Sequence, residues 1–147
     1  MATDKYGNIY VAYDYWDGSS GHMIIKKLGY KQSSWVFYKG WYSSGWAFTS
    51  RKMAYDAYNN YLYIAYDLYD YSNPTYRVIR IKKINLNDGS YNTTTIETDP
   101  DGTGGEYYRW PSVACDYGYQ NNWVYVTYEH VKTNGEVELI IARSKDY

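Results

Sequence analysis

One short phrase recurs three times along this chain. Met1-Ala2-Thr3-Asp4 precedes Ile9-Tyr10-Val11-Ala12-Tyr13-Asp14, and Met53-Ala54-Tyr55-Asp56 precedes Leu62-Tyr63-Ile64-Ala65-Tyr66-Asp67. Val113-Ala114-Cys115-Asp116 then precedes Val124-Tyr125-Val126-Thr127-Tyr128-Glu129. The starts lie 52 and 60 residues apart. A period of this size, written in alternating apolar and polar positions, points to a repeated β-architecture rather than a single-core enzyme fold. A residue that recurs in every copy has a scaffold role by default. Information about function therefore lies where the copies differ.

Each copy reads as a short meander. The first strand ends at Asp4, Asp56 or Asp116, and a turn rich in Gly and Asn follows, supplying positive-φ positions for a tight hairpin. The second strand alternates, with Ile9, Val11 and Tyr13 facing one way and Tyr10, Ala12 and Asp14 the other. Third strands follow around Met23–Lys27, Val78–Lys83 and Glu138–Arg143. Fourth strands are legible around Trp35–Tyr38 and Thr93–Ile96, and no stretch carries a capped helical period. The prediction is an all-β fold of β-propeller blades, four antiparallel strands each, about three blades in a partial propeller. The repeats divide as 1–52, 53–112 and 113–147, the last without a fourth strand. Three blades fall short of rings of roughly four to eight. The pattern thus implies self-association or further blades of a longer chain.

Composition narrows the partners. A formal net charge of −1 gives no electrostatic case for nucleic acid. No apolar run reaches the roughly 20 residues of a membrane span, and no signal peptide is visible. The unusual count is 23 Tyr and 6 Trp against 2 Phe. Tyrosine suits strand surfaces where the ring is covered and the hydroxyl stays wet. The single Cys115 excludes an internal disulfide and reads as a small strand residue. This composition is compatible with an extracellular or cell-surface protein.

Arg109-Trp110-Pro111-Ser112-Val113-Ala114-Cys115-Asp116, a turn, and Trp123-Val124-Tyr125-Val126-Thr127-Tyr128 together resemble the blade opening of sialidase-like propellers. Ala142-Arg143-Ser144-Lys145-Asp146 resembles the start of their Asp-box, Ser-x-Asp-x-Gly-x-x-Trp. At the matching place the first copy has Lys27 to Trp35 without the Ser and Asp, and the second has Asp88-Gly89 without the Trp. The resemblance implies a propeller in which the Asp-box is a structural turn remote from the active site. Arg109 with Pro111 resembles the segment that places a substrate-binding arginine in sialidases. Those enzymes use three arginines around a carboxylate, a Tyr–Glu nucleophile pair and an Asp acid/base. Arg51, ahead of Met53, is the nearest second arginine.

In a propeller the loops between second and third strands share one face with the connections between blades. That face would gather Asp14, Trp16, Trp46, Asp67, Tyr69, Arg109, Trp110 and Glu129 as ligand-binding candidates. Aromatic rings stack on sugar faces and carboxylates accept hydroxyl hydrogen bonds, which is the chemistry of carbohydrate recognition. Trp46 and Trp110 have packing between blades as their alternative. The recurrence of Asp14, Asp67 and Glu129 favours turn closure, with a glycosidase acid–base pair as the catalytic alternative. Asp99, Asp101 and Glu106 among glycines are candidate Ca2+ ligands. His22 and His130 have no Cys or His neighbour to form a zinc site. The leading expectation is a non-catalytic segment that binds a glycan or other surface polymer. The alternatives are a glycoside hydrolase and a self-assembling structural module.

Overall fold

The computed structural model describes residues 1–73, 76–98, 105–116 and 123–145. These form three antiparallel sheets with no helix among the described residues. The first sheet runs β1 (Ala2–Thr3), β2 (Ile9–Trp16), β3 (Ser20–Leu28) and β4 (Trp35–Ser44) in spatial order. The second runs β5 (Trp46–Asp56), β6 (Tyr61–Asp70), β7 (Arg77–Asn85) and β8 (Tyr91–Thr98). The third holds β9 (Tyr107–Cys115), β10 (Val124–Val131) and β11 (Val137–Ser144), with β10 in the middle. The architecture is an open, partial propeller, as the repeat predicts, and both expected fourth strands are present.

The sheets stack face to face through two apolar layers. Tyr10, Met23 and Ile25 of the first sheet meet Phe48, Leu62, Ile64 and Tyr66 of the second. Tyr63, Ala65, Ile79 and Ile81 on the other side of the second sheet meet Val113, Val124, Val126 and Tyr128 of the third. Strand β6 is consequently covered on both faces, and every residue from Leu62 to Leu68 is buried. Gly21 makes the first junction close. A Cβ there would stand 2.2 Å from the Trp46 carbonyl oxygen and 2.9 Å from Ala47 Cα. Only glycine lets β3 approach the β5 backbone so nearly.

The turns behave as the recurring Asp suggests. Asp4 accepts hydrogen bonds from the amides of Tyr6 and Asn8, both at 2.9 Å, and from the Tyr10 hydroxyl at 3.1 Å. Asp56 accepts from the amides of Tyr58 and Asn59 at 2.9 and 3.1 Å. These are side-chain closures of the hairpin turn. They fix one end of the stack, here called the lower end. The segments linked to the Asp-box resemblance that lie among the described residues, 29–34 and 86–90, are also lower-end turns. Asp146 lies outside the described residues.

Candidate functional site

The upper end carries the β2–β3, β6–β7 and β10–β11 connections together with the links between sheets. Its rim is tied by backbone bonds: Gly45 N–H donates to Ser19 O at 3.1 Å, and Tyr71 N–H donates to Gly45 O at 2.8 Å. Here the innermost strands of two sheets make the same irregularity. In β5 two residues, Ser50 and Arg51, stand opposite one on β6, between the pairs Thr49–Asp67 and Lys52–Ala65. In β9 Trp110 and Pro111 do the same between Arg109–Glu129 and Ser112–Thr127. The first bulge residue is left-handed in both, with φ of 48° at Ser50 and 56° at Trp110. Neither is glycine, so each site holds a sparsely populated backbone conformation. A β-bulge re-aims side chains and is common beside functional sites.

The two bulges face each other across a groove of about 310 Å³ lined by Ser50, Lys52, Trp110, Pro111 and Ser112. Trp110 is 56% exposed. The Arg109 guanidinium lies 3.9 Å from the Trp110 ring centroid, a cation–π contact that fixes both groups.

Around the groove each recurring upper-end acid meets an arginine. Asp14 pairs with Arg51 of the next sheet. Asp67 receives Arg77 Nη1 at 2.7 Å and the Thr49 hydroxyl at 2.6 Å, and its side chain is fully buried. Glu129 receives Arg109 Nε at 3.0 Å. Burial depresses the Arg51 guanidinium pKa while the charge of Asp67 opposes that shift, so Arg51 feels both Asp14 and Asp67. Arg77 lies over the Tyr69 and Tyr107 rings at 5.3 and 5.6 Å, and Arg109 reaches the same Tyr107 at 5.9 Å. Three guanidiniums, two on the second sheet and one on the third, thus meet carboxylates from all three sheets, and Tyr107 lies between Arg77 and Arg109. Turn closure at this end falls to other residues. Asp17 accepts the amides of Ser19 and Ser20, and Asp70 accepts that of Ser72.

The remaining nominees sit as follows. Trp16 is half-buried and stacks on Tyr71 at 4.6 Å. Trp46 packs against the first apolar layer and against Tyr76. Glu106 binds His130 at 3.0 Å, and Asp99 and Asp101 lie outside the described residues. His22 binds Asp17 at 2.7 Å and stacks on Tyr15 at 4.5 Å. The His22 hydrogen bond, with the amides and hydroxyl of the following serines, holds the Asp17 carboxyl well below the usual range. Among the described residues no group of three His, Cys, Asp or Glu side chains could hold a metal. Burial, aided by Asp56, pushes the Cys115 thiol up to about 12, which makes it inert. Sequence reasoning did not nominate Arg77, Tyr107 or Ser50. A basic residue shortly before two of the repeats, Arg51 and Arg109, is the available signal, but the two are not equivalent: Arg109 aligns with Thr49 and Arg51 with Pro111.

No protein-family model matches this chain, and no curated protein matches it by sequence. The fold is similar to that of a Hadza microbial sialidase, with a TM-score of 0.65 at 8% identity. The match covers 99% of this chain and 34% of that one, so the chain spans about a third of that neighbour's length. At this identity the likeness is one of fold: an all-β, sialidase-like arrangement of sheets.

Proposed function

We propose that this chain binds a glycan or another surface polymer, without cleaving it, at the cell surface or outside the cell. The observation that carries the reading is the exposed Trp110 ring, held against Arg109 in a groove between two paired bulges. The open face of the indole offers a stacking surface for a sugar ring. Arg109, Lys52 and Ser112 border it with hydrogen-bond donors for hydroxyl or carboxylate groups. The sialidase-like fold supports a carbohydrate ligand by analogy alone.

The state of the acids favours binding over hydrolysis. A glycosidase needs one carboxyl free to donate a proton and a second free to attack or to activate water. Asp14, Asp67 and Glu129 are each held by an arginine, and Asp67 has no exposed surface. Each arginine occupies carboxylate lone pairs that a proton or a substrate hydroxyl would need.

A glycan array followed by calorimetry against plant and microbial polysaccharides tests the reading. Trp110→Ala is expected to weaken the binding found by about tenfold. Silence across both, from folded protein, removes it. Turnover of an aryl-glycoside panel that is lost in Asp14→Ala or Glu129→Ala would replace it with hydrolysis.

A further inference from the structure

The repeat supplies its own control for burial. Ile79 pairs with Asp67 and Ile81 with Ala65 in the second sheet, while Met23 pairs with Asp14 and Ile25 with Ala12 in the first. Leu139 pairs with Glu129 and Ile141 with Thr127 at the same register positions of the third. Met23, Ile25, Ile79 and Ile81 are 0–1% exposed, whereas Leu139 and Ile141 are 69% and 65% exposed. The third sheet thus presents, uncovered, the face that the first and second sheets bury against their successors.

The first sheet has the complementary opening. Ile64 and Tyr66, and Val126 and Tyr128, are buried against the preceding sheet in each case. Their counterparts Val11 and Tyr13 are half-exposed and join Ile24 and the exposed Phe37 on one open surface. A depression of about 210 Å³ lies there, lined by Val11, Tyr13, Lys26 and Trp35.

We propose that the open face of the third sheet docks on the open face of the first sheet of a second copy of this chain, and reciprocally. The two junctions would continue the packing already made twice within the chain. The number of copies follows from ring size. One copy contributes three sheets, two contribute six and three contribute nine, and propellers close at roughly four to eight. Two copies therefore close a ring about a twofold axis, with each apolar face covered by its repeat-equivalent partner. The inference stands apart from the glycan reading, since it uses neither the groove nor its residues.

Sedimentation analysis of the 147-residue chain tests it. The expected species has twice the 17.3 kDa chain mass. Leu139→Glu on one face and Phe37→Glu on the other should each weaken the dimer by about a hundredfold, because each brings an unpaired charge into an apolar junction. Both positions are exposed in the single chain, so the circular dichroism spectrum of each variant should match the parent, and its melting should match that of the parent diluted until it dissociates. Mixing the two variants gives a decisive readout. When the second variant is instead Phe37→Lys, the mixed pair has one junction that carries both charges, now of opposite sign, and one that carries neither, so a two-chain species should reappear that neither variant gives alone. A chain that stays at 17.3 kDa at about 100 μM overturns the proposal. So does a dimer that tolerates either substitution, because that places the contact on one face only. Larger or open-ended assemblies overturn the twofold closure.

Discussion

Both ends of the stacked sheets carry a carboxylate in each repeat, and the two ends use it differently. At the lower end Asp4 and Asp56 accept backbone amides of their own turns, within four residues in sequence. At the upper end Asp14, Asp67 and Glu129 bind arginines 37, 10 and 20 residues away. The first arrangement serves the hairpin alone. The second ties sheets and strands together through three partly exposed guanidiniums, of which Arg109 lies against Trp110 of the groove. Recurrence by itself therefore does not separate scaffold from site; the range of the interaction does.

The contrast can be broken most severely at Asp67. Asp67→Ala removes the fully buried carboxylate to which Arg77 and Thr49 donate and should cost about 3 kcal/mol, whereas Glu129→Ala at a partly exposed pair should cost about 1 kcal/mol or less. Urea denaturation of the two variants checks the ratio. At the lower end Asp4→Ala should cost about 2 kcal/mol, since it removes charge-assisted bonds from two amides and two side chains.

The same Asp4 sharpens the comparison through pH. Burial raises its pKa, but the Asn8 side chain, the amides of Asn8 and Tyr6 and the Tyr10 hydroxyl outweigh that and hold it below 3.8. A depressed carboxyl contributes stability above its ordinary value, and that contribution is lost as pH falls through the folded value. Asp4→Asn should flatten part of the acid limb of the stability profile below about pH 4.

Lys82 runs the other way. It sits between the first and second sheets among the Trp41, Tyr91 and Tyr66 rings at 4.7, 5.1 and 5.8 Å and donates to Thr93 at 2.7 Å. Burial, aided by Arg80, lowers its pKa to about 8 from 10.5. Between those values the unfolded chain binds more protons, so stability should rise with pH from about 8 towards 10. Above 10 the buried Tyr10, Tyr63 and Tyr66, whose pKa values burial raises, should reverse the trend. Lys82→Met should abolish the rise and leave the fall, as thermal melts across this range would record.

The smallest effect on stability belongs to Trp110→Gly. The ring is exposed and φ is 56°, which glycine adopts freely, so the change should stay within about 0.5 kcal/mol. Loss of glycan binding in that variant, with unchanged melting, would separate the groove from the scaffold.

Much of the fold was legible because it is written locally. Alternation and Gly/Asn turns mark the strands, and the third-strand runs place β3, β7 and β11. The loop rule also placed the β2–β3, β6–β7 and β10–β11 connections together at one end of the stack. What the loop rule could not distinguish was which aromatics stay open. Trp16 is covered by Tyr71, and Trp46 sinks into the first apolar layer, while Trp110 is turned outward by the bulge at its own position. A two-for-one mismatch between strands leaves no mark in a single strand's sequence.

The repeat by itself determined that this chain forms β-sheets of equivalent register, because strand alternation and turn chemistry act over a few residues. It did not determine which face of each second strand is buried. Tyr10 and Val124 lie one position out of step in the repeat, yet both are covered, and Leu62 to Leu68 are covered on both sides. That outcome depends on which sheet lies next to which. The pairing of Asp14 with Arg51, and of Arg77 and Arg109 through Tyr107, likewise arises only once separate sheets are stacked, since no local rule connects residues on different sheets.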